Sequence, residues 1–217
     1  MKPQYIAFLA LLLAVIACNK IPGLSGGGVG GSKGGTATGG SDPRADVVEA
    51  SKKFIALPAF TANTEGMGQT EIKSQVKYAE PDRFHITYLG GTGAGMELIY
   101  IGKDGYMKSG DKWTKMPSTG QSIPNLRDSF TEEGLKTLSD VKFEGDDTVG
   151  GKSASVYSYK NVTPVGSHPF TVKIWISNDT GLPMKIHAEY PGNPALKYMD
   201  VSYDTESPVV IEPPAVK

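Results

Sequence analysis

The chain has 217 residues, with 22 Lys and Arg against 23 Asp and Glu, for a formal charge of -1. That length suits one domain with appendages, and the lack of a basic excess excludes a nucleic-acid binder, which needs cations to displace condensed counterions. A single cysteine excludes an internal disulfide, and three histidines leave little for a transition-metal site.

Lys2 precedes an uninterrupted apolar run of thirteen residues, Tyr5 to Ala17. A spanning helix needs about 20 apolar residues, so this run is too short to cross a bilayer and has the size of a signal-peptide core. Val15-Ile16-Ala17-Cys18 resembles the bacterial lipobox, in which small or branched residues precede a cysteine. The resemblance implies removal of residues 1–17 as a lipoprotein signal peptide and acylation of Cys18, the lipid anchor. Two or three acyl chains, at about 0.8 kcal/mol per buried CH₂, hold firmly where one holds marginally. The expected location is outside the cytoplasm, anchored to a bacterial membrane and facing the periplasm or the cell exterior. Asn19 stands where an aspartate retains enterobacterial lipoproteins at the inner membrane, and so points to the outer one.

Residues 18–42 follow as a tether, with ten of the 27 glycines lying between Gly23 and Gly40. Such a stretch has no apolar surface to offset its ordering entropy. As a Gly/Ser coil it has an end-to-end distance of about 25 Å. The domain proper is expected at 43–217. Asp42-Pro43 reads as an N-cap followed by proline at the first helical position. Val47, Val48, Ser51, Phe54, Ile55 and Leu57 form an apolar stripe that predicts an amphipathic helix over 44–57.

Beyond it the period becomes two. Phe84, Ile86 and Tyr88 alternate with His85 and Thr87, and Leu98 and Tyr100 with Ile99 and Ile101. Phe170, Val172, Ile174 and Ile176 alternate with Thr171, Lys173, Trp175 and Ser177; Met184, Ile186, Ala188 and Tyr190 alternate with Lys185, His187 and Glu189. This pattern marks strands with one apolar and one wet face. Turn signals separate them at Gly90-Gly91, Lys103-Asp104-Gly105, Ser109-Gly110-Asp111, Gly150-Gly151 and Asn178-Asp179-Thr180-Gly181. A mainly β, antiparallel meander of about eleven strands follows, interrupted by a short helical insertion over 122–138. Two helices can plug such a curved sheet but not fill it densely, so a cavity lined by apolar side chains is expected. The candidate lining is Phe84, Ile86, Tyr88, Leu98, Tyr100, Val156, Val172, Ile174, Ile176, Met184 and Ile186, which either bind a ligand or pack beneath the helices.

Chemistry is sparse. Gly151-Lys152-Ser153 looks like the end of a phosphate-binding loop, but Asp146 stands where that loop needs glycine and no helix follows, so a hairpin turn is expected. Gly90 to Gly95 reads as a hairpin loop, with gating of a cavity mouth as the sharper option. His85, His168 and His187 lack ligand spacing, and Glu144, Asp146 and Asp147 read as solvated charge rather than a calcium site. With no G-x-S-x-G elbow or other catalytic constellation, no enzyme, cofactor or metal is expected.

Four stretches together resemble the LolA/LolB-like lipoprotein carriers, and more closely the LppX/LprG-type lipid-carrying lipoproteins: Ala79-Glu80-Pro81-Asp82-Arg83-Phe84, Tyr100 to Tyr106 with Trp113, Ile174 to Pro183, and Asp200 to Tyr203 running on to Pro213. The resemblance spans nearly all of 44–214. It implies a strongly curved half-barrel of about eleven strands, with one N-terminal helix and the helical insertion covering a concave face that takes acyl chains. It also implies that the last stretch is a closing strand. Glu80 occupies the place of the carriers' lid-holding arginine, so a lid of that kind is not expected. The function implied is an anchored, monomeric lipoprotein that binds a lipid or the acyl chains of a lipoprotein. The alternative is an envelope sensing or interaction module with a protein partner, collapsed inside and functional on its outer face.

Overall fold

The computed structural model describes residues 42–116, 130–162 and 169–216. The apolar run read as a signal peptide, Cys18, Asn19, the expected tether before Asp42, residues 122–129 of the expected insertion and His168 lie outside the described residues.

Helix α1 spans Pro43–Ile55 and starts as its sequence requires, with the Asp42 carboxylate accepting from the Arg44 and Ala45 amides and proline in the first turn. Its buried side is Val47, Ala50, Ser51 and Phe54. Eleven strands follow: β1 (Ala59–Gly68), β2 (Glu71–Ala79), β3 (Arg83–Gly90), β4 (Glu97–Ile101), β5 (Asp104–Ser109), β6 (Lys112–Met116), β7 (Ser139–Val149), β8 (Lys152–Val162), β9 (Pro169–Ser177), β10 (Pro183–Glu189) and β11 (Leu196–Asp204). Of the expected insertion, the described part is Phe130 to Leu138, with one short helix, α2, at Glu132–Lys136.

The strands form one antiparallel sheet in the order β6-β5-β4-β3-β2-β1-β11-β10-β9-β8-β7. Two meanders, β1–β6 and β7–β11, are joined by the pairing of β1 with β11, and the sheet stays open between β6 and β7. The expected half-barrel is therefore present. Its hairpins turn where glycine allows it: Gly150 and Gly151 have φ of 57° and 81° between the paired residues Val149 and Lys152, the left-handed pair of a two-residue turn. The Gly151-Lys152-Ser153 sequence is thus a hairpin, as its flanking strands predicted. The Gly90–Gly95 loop likewise joins β3 to β4 and includes one 3-10 turn at Gly91–Gly93.

The concave face is largely apolar, with Thr64 and Ser74 opposite each other between Val201 and Tyr88 as a polar interruption. Phe60, Tyr78, Phe84 and Tyr100 stand opposite one another across β1 to β4. Val201, Ile186, Ile174 and Tyr157 do the same from β11 back to β8. Helix α1 covers this face through Phe54, which is fully buried and lies 4.8 Å from the Phe60 ring, 4.6 Å from Phe130 and 4.8 Å from Tyr203. Burying one such side chain stabilises by roughly 1.5–3 kcal/mol. Three polar contacts fix the helix in place. The Tyr157 hydroxyl donates to Asp46 at 2.9 Å, and the Arg44 guanidinium donates to the carbonyls of Leu138 at 2.6 Å and Leu135 at 3.1 Å.

The outer face is drier than alternation predicts. Ala154, Val156 and Trp175 form a buried cluster there, with Val149 and Met184 packed against it. Ile99, Tyr106 and Ile211 form another, joined by Ala79, Ile101, Trp113 and Val209. The second cluster corrects the expected closing strand. Strand β11 ends at Asp204 and sits in the middle of the sheet. The chain after it runs without a ladder across the outer face as a strap, burying Ile211 to 4%. Arg83 donates to the Ile211 carbonyl at 2.7 Å, and Val216 makes a single parallel bridge to Trp113 on β6. Pro208, Pro213 and Pro214 lack the N–H groups that a ladder needs.

Candidate ligand-binding face

Nine of the eleven candidate residues lie on the concave face. Phe84, Ile86, Leu98, Val172, Ile174, Ile176 and Ile186 are buried in its core, and Tyr88 and Tyr100 are half-buried against it. Val156 and Met184 are on the other side. Val156 stands opposite Trp175, while its neighbour Tyr157 stands opposite Ile174 and faces inward. Both faces of β8 are apolar, so the choice of the aliphatic residue selected the wrong one. Met184 is displaced by a bulge: the register of β10 on β9 shifts between Pro183 and Lys185, which turns Met184 outward and leaves the fully buried Pro183 opposite Ile176.

The packing of the concave face is uneven. Around α1 it is dense, with Val47, Phe54, Phe60, Ala62 and Ile174 each no more than 1% exposed. Toward β3–β6 the lining becomes half-buried: Tyr88, Met96, Tyr100 and Met116 pack against the core without being sealed by it. Thioether and aromatic side chains of this kind adapt to irregular apolar partners. Gly105 makes room in that wall, since a Cβ there would meet the Met116 methyl at 2.9 Å and the Tyr100 ring at 3.4 Å.

Seven tyrosines belong to the concave face, and their hydroxyls differ. Tyr157 donates to Asp46, and Tyr78 has a further partner in the protein. Tyr88, Tyr100, Tyr159, Tyr190 and Tyr203 have no hydrogen-bond partner among the described residues. No sealed side-chain polar atom of the described residues lacks a partner, so each of these five hydroxyls keeps some accessible surface. Burial raises all five above the ordinary phenol range, Tyr190 to about 12 and Tyr159 and Tyr203 also strongly upward. They are neutral donors at any physiological pH. Sequence reading found Tyr88 and Tyr100 through their alternation but passed over Tyr159 and Tyr203. The run Tyr157-Ser158-Tyr159 carries the same period and is the signal that finds Tyr159.

Apart from Asp46, which accepts from Tyr157, and Asp146, which accepts from Ser155, most charged side chains with assigned partners sit elsewhere. On the outer face His85 contacts Glu97 at 3.1 Å, and Lys108 reaches the other oxygen of that carboxylate at 2.6 Å. His187 lies 3.1 Å from Asp200, and the Trp175 ring is flanked by Lys173 and Lys185, both 5.1 Å from its centroid. Its indole N–H donates to Asp147 at 2.8 Å, so one member of the acidic cluster is a structural acceptor. Among the described residues no group of His, Cys, Asp and Glu could hold a metal ion. A shallow depression of about 490 Å³ opens beside the β10–β11 turn, between Glu189, Pro191, Asn193 and Lys197. Tyr190 is common to its wall and to the concave core.

This architecture has solved counterparts. The lipoprotein LppX of Mycobacterium tuberculosis superposes with a TM-score of 0.55 at 13% identity, over 78% of this chain and 98% of LppX. LprF from Mycobacterium bovis superposes with a TM-score of 0.61 at 13% identity, over 80% of this chain and 97% of LprF. The fold is that of LppX and LprF. The resemblance read from the four sequence stretches thus holds for the fold, across nearly the whole of both counterparts. No protein-family model and no curated protein sequence matches the chain.

Proposed function

We propose that this chain is an exported bacterial lipoprotein, anchored through Cys18, whose half-barrel binds a lipid or acylated ligand on its concave face. The observation that carries the reading is the concave face itself. It is largely apolar from β1 to β4 and from β8 to β11, and it passes from dense packing under α1 to a half-buried wall of Tyr88, Met96, Tyr100 and Met116. Affinity comes from removing alkyl chains from water, at about 25 cal/mol per Å². Fold kinship with the lipoprotein LppX supports the reading, as do the lipobox and the glycine tether.

Native mass spectrometry of the mature protein extracted from bacterial membranes, followed by lipid extraction, tests it. A stoichiometric co-purifying lipid or acylated peptide is expected, together with a mass at Cys18 that includes acyl chains. A protein that emerges without lipid and stays so after incubation with phospholipid vesicles refutes the binding reading. An unmodified Cys18 refutes the anchor alone.

A further inference from the structure

The β10–β11 turn carries features that the fold alone does not require. Tyr190 to Asn193 close it, with the Asn193 amide donating to the Tyr190 carbonyl at 3.1 Å and Pro191 and Gly192 (φ 78°) at the centre, the order that a type II turn favours. The Asn193 side chain then accepts from the amides of Ala195 and Leu196 at 2.9 and 3.3 Å. The Gly192 amide has no partner among the described residues. On the next strand Lys197 is the extra residue of a bulge. The pairing of β1 with β11 passes from Met67 opposite Tyr198 to Gly68 opposite Leu196 and skips it, while its carbonyl accepts from the Tyr190 amide at 2.8 Å. A bulge re-aims a side chain. Here Lys197 lines the depression of about 490 Å³ beside the turn, together with Tyr190 and Gly192. Lys73, Lys108, Lys115 and Lys160 are paired with acids, whereas Lys197 has no acid partner among the described residues.

The same depression adjoins the apolar interior. Tyr190 stacks on Phe170 with ring centroids 5.2 Å apart, and both pack against the concave core. Tyr198, in the opposite wall, is 37% exposed and its ladder partner Met67 is 40% exposed, which gives the depression an apolar lip. The acid in the wall, Glu189, contacts His187 at 3.4 Å. We infer that this depression is the headgroup subsite of the concave face and takes the phosphodiester of an anionic phospholipid. The Lys197 ammonium and the Gly192 amide donate to it, and the acyl chains pass inward over Tyr190. Two donors, one of them charged, suit an anion with several acceptor oxygens. Because the depression is shallow, the anion keeps part of its hydration and avoids the cost of a sealed charge. Its volume exceeds what a bare carboxylate fills, and the apolar lip and the Tyr190–Phe170 stack favour a phosphate joined to alkyl chains over free phosphate. This inference rests on the lipid-binding reading above.

The test is a competition on the delipidated full chain. It is offered equal amounts of dioleoylphosphatidylglycerol and 1,2-dioleoylglycerol in mixed micelles, and bound lipid is quantified by mass spectrometry. The expected preference for the phospholipid is about tenfold, equivalent to about 1.4 kcal/mol. Lys197→Gln is expected to bind the two lipids equally while keeping its total uptake and urea midpoint, and Lys197→Arg to restore the preference. Lys160→Gln removes a lysine paired with Asp140 and is expected to keep the preference, which controls for a general loss of charge. Inorganic phosphate in excess is expected to leave the bound phospholipid in place. Equal binding by the wild-type chain, or an undiminished preference in Lys197→Gln, overturns the subsite and leaves lipid binding intact. Displacement of the phospholipid by inorganic phosphate overturns the assignment to a lipid headgroup. Uptake of neither lipid overturns both readings.

Discussion

The strap that crosses the outer face offers a sharp test of how the sheet is held. Ile211 is 4% exposed and sits with Ile99 and Tyr106, beside Trp113. Ile211→Ala removes three carbons, about 0.8 kcal/mol each by transfer, and leaves a cavity that the strap closes only in part. The expected cost is about 2.5–3 kcal/mol, toward the low end for such truncations because an irregular segment relaxes more easily than a ladder. The Arg83 bond to the Ile211 carbonyl survives, since it is made by the backbone. With a urea m-value of about 2 kcal/mol/M, the unfolding midpoint falls by somewhat more than about 1 M. The chain has two tryptophans, so a Trp175→Phe background leaves Trp113 as the sole indole, placed inside the strap cluster. Its emission is expected to shift red in the folded Ile211→Ala protein, and further when residues 208–217 are deleted. A midpoint change worth less than about 0.5 kcal/mol, with Trp113 emission unchanged, refutes the idea that the strap holds this wall.

Three further outcomes are expected. Arg44→Ala leaves the carbonyls of Leu135 and Leu138 without their charged donor, costing about 1–3 kcal/mol; faster amide exchange confined to α2 and the start of β7 checks it, and uniform exchange contradicts it. Ile174→Ala, at a fully buried inner position, is expected to cost about 2–5 kcal/mol and to lower lipid uptake. Val156→Ala is expected to lower stability without changing uptake, and equal effects of the two on uptake contradict the assignment of faces. The Lys108 hydrogen bond, aided by His85, holds the Glu97 carboxyl below its ordinary range despite partial burial. A carboxyl with a depressed folded pKa contributes stability fully above its unfolded value, about 4.3, and loses it as pH falls through the folded value. Urea midpoints from about pH 7 to pH 3 are expected to fall less steeply for Glu97→Gln than for wild type, and parallel curves contradict this.

The parts of the fold legible in the sequence are those where one physical requirement acts alone. Asp42-Pro43 caps a helix by local hydrogen bonding, and Gly150-Gly151 turns a hairpin through its own φ angles. Strands β3 and β10 alternate because one face meets the core. Legibility fails where both faces are buried. Val156 and Tyr157 are neighbours that both bury apolar surface, Val156 with the outer Trp175 cluster and Tyr157 in the inner core. The bulge at Pro183 moved Met184 across the sheet without leaving a mark in the alternation. Strand β1, Ala-Phe-Thr-Ala-Asn-Thr-Glu-Gly-Met-Gly, is too polar and too rich in small residues to stand out as a strand. The tyrosine hydroxyls were beyond reach for another reason: ten tyrosines are plain in the sequence, but whether a hydroxyl finds a partner depends on strands far apart in the chain.

The pairing of β1 with β11 sets an order of events for the chain as it is made. Thr61 and Asp204, partners in that ladder, are about 140 residues apart. Until the last strand emerges, each meander exists with an extra raw edge, β1 on one and β10 on the other. Four open edges then invite pairing with other chains where the finished sheet has two. Completion cannot begin at the N-terminus and run forward; it waits for the end. A product cut short before β11 is not a smaller half-barrel but two unjoined ribbons, and quality control that recognises exposed strand edges would see it as such.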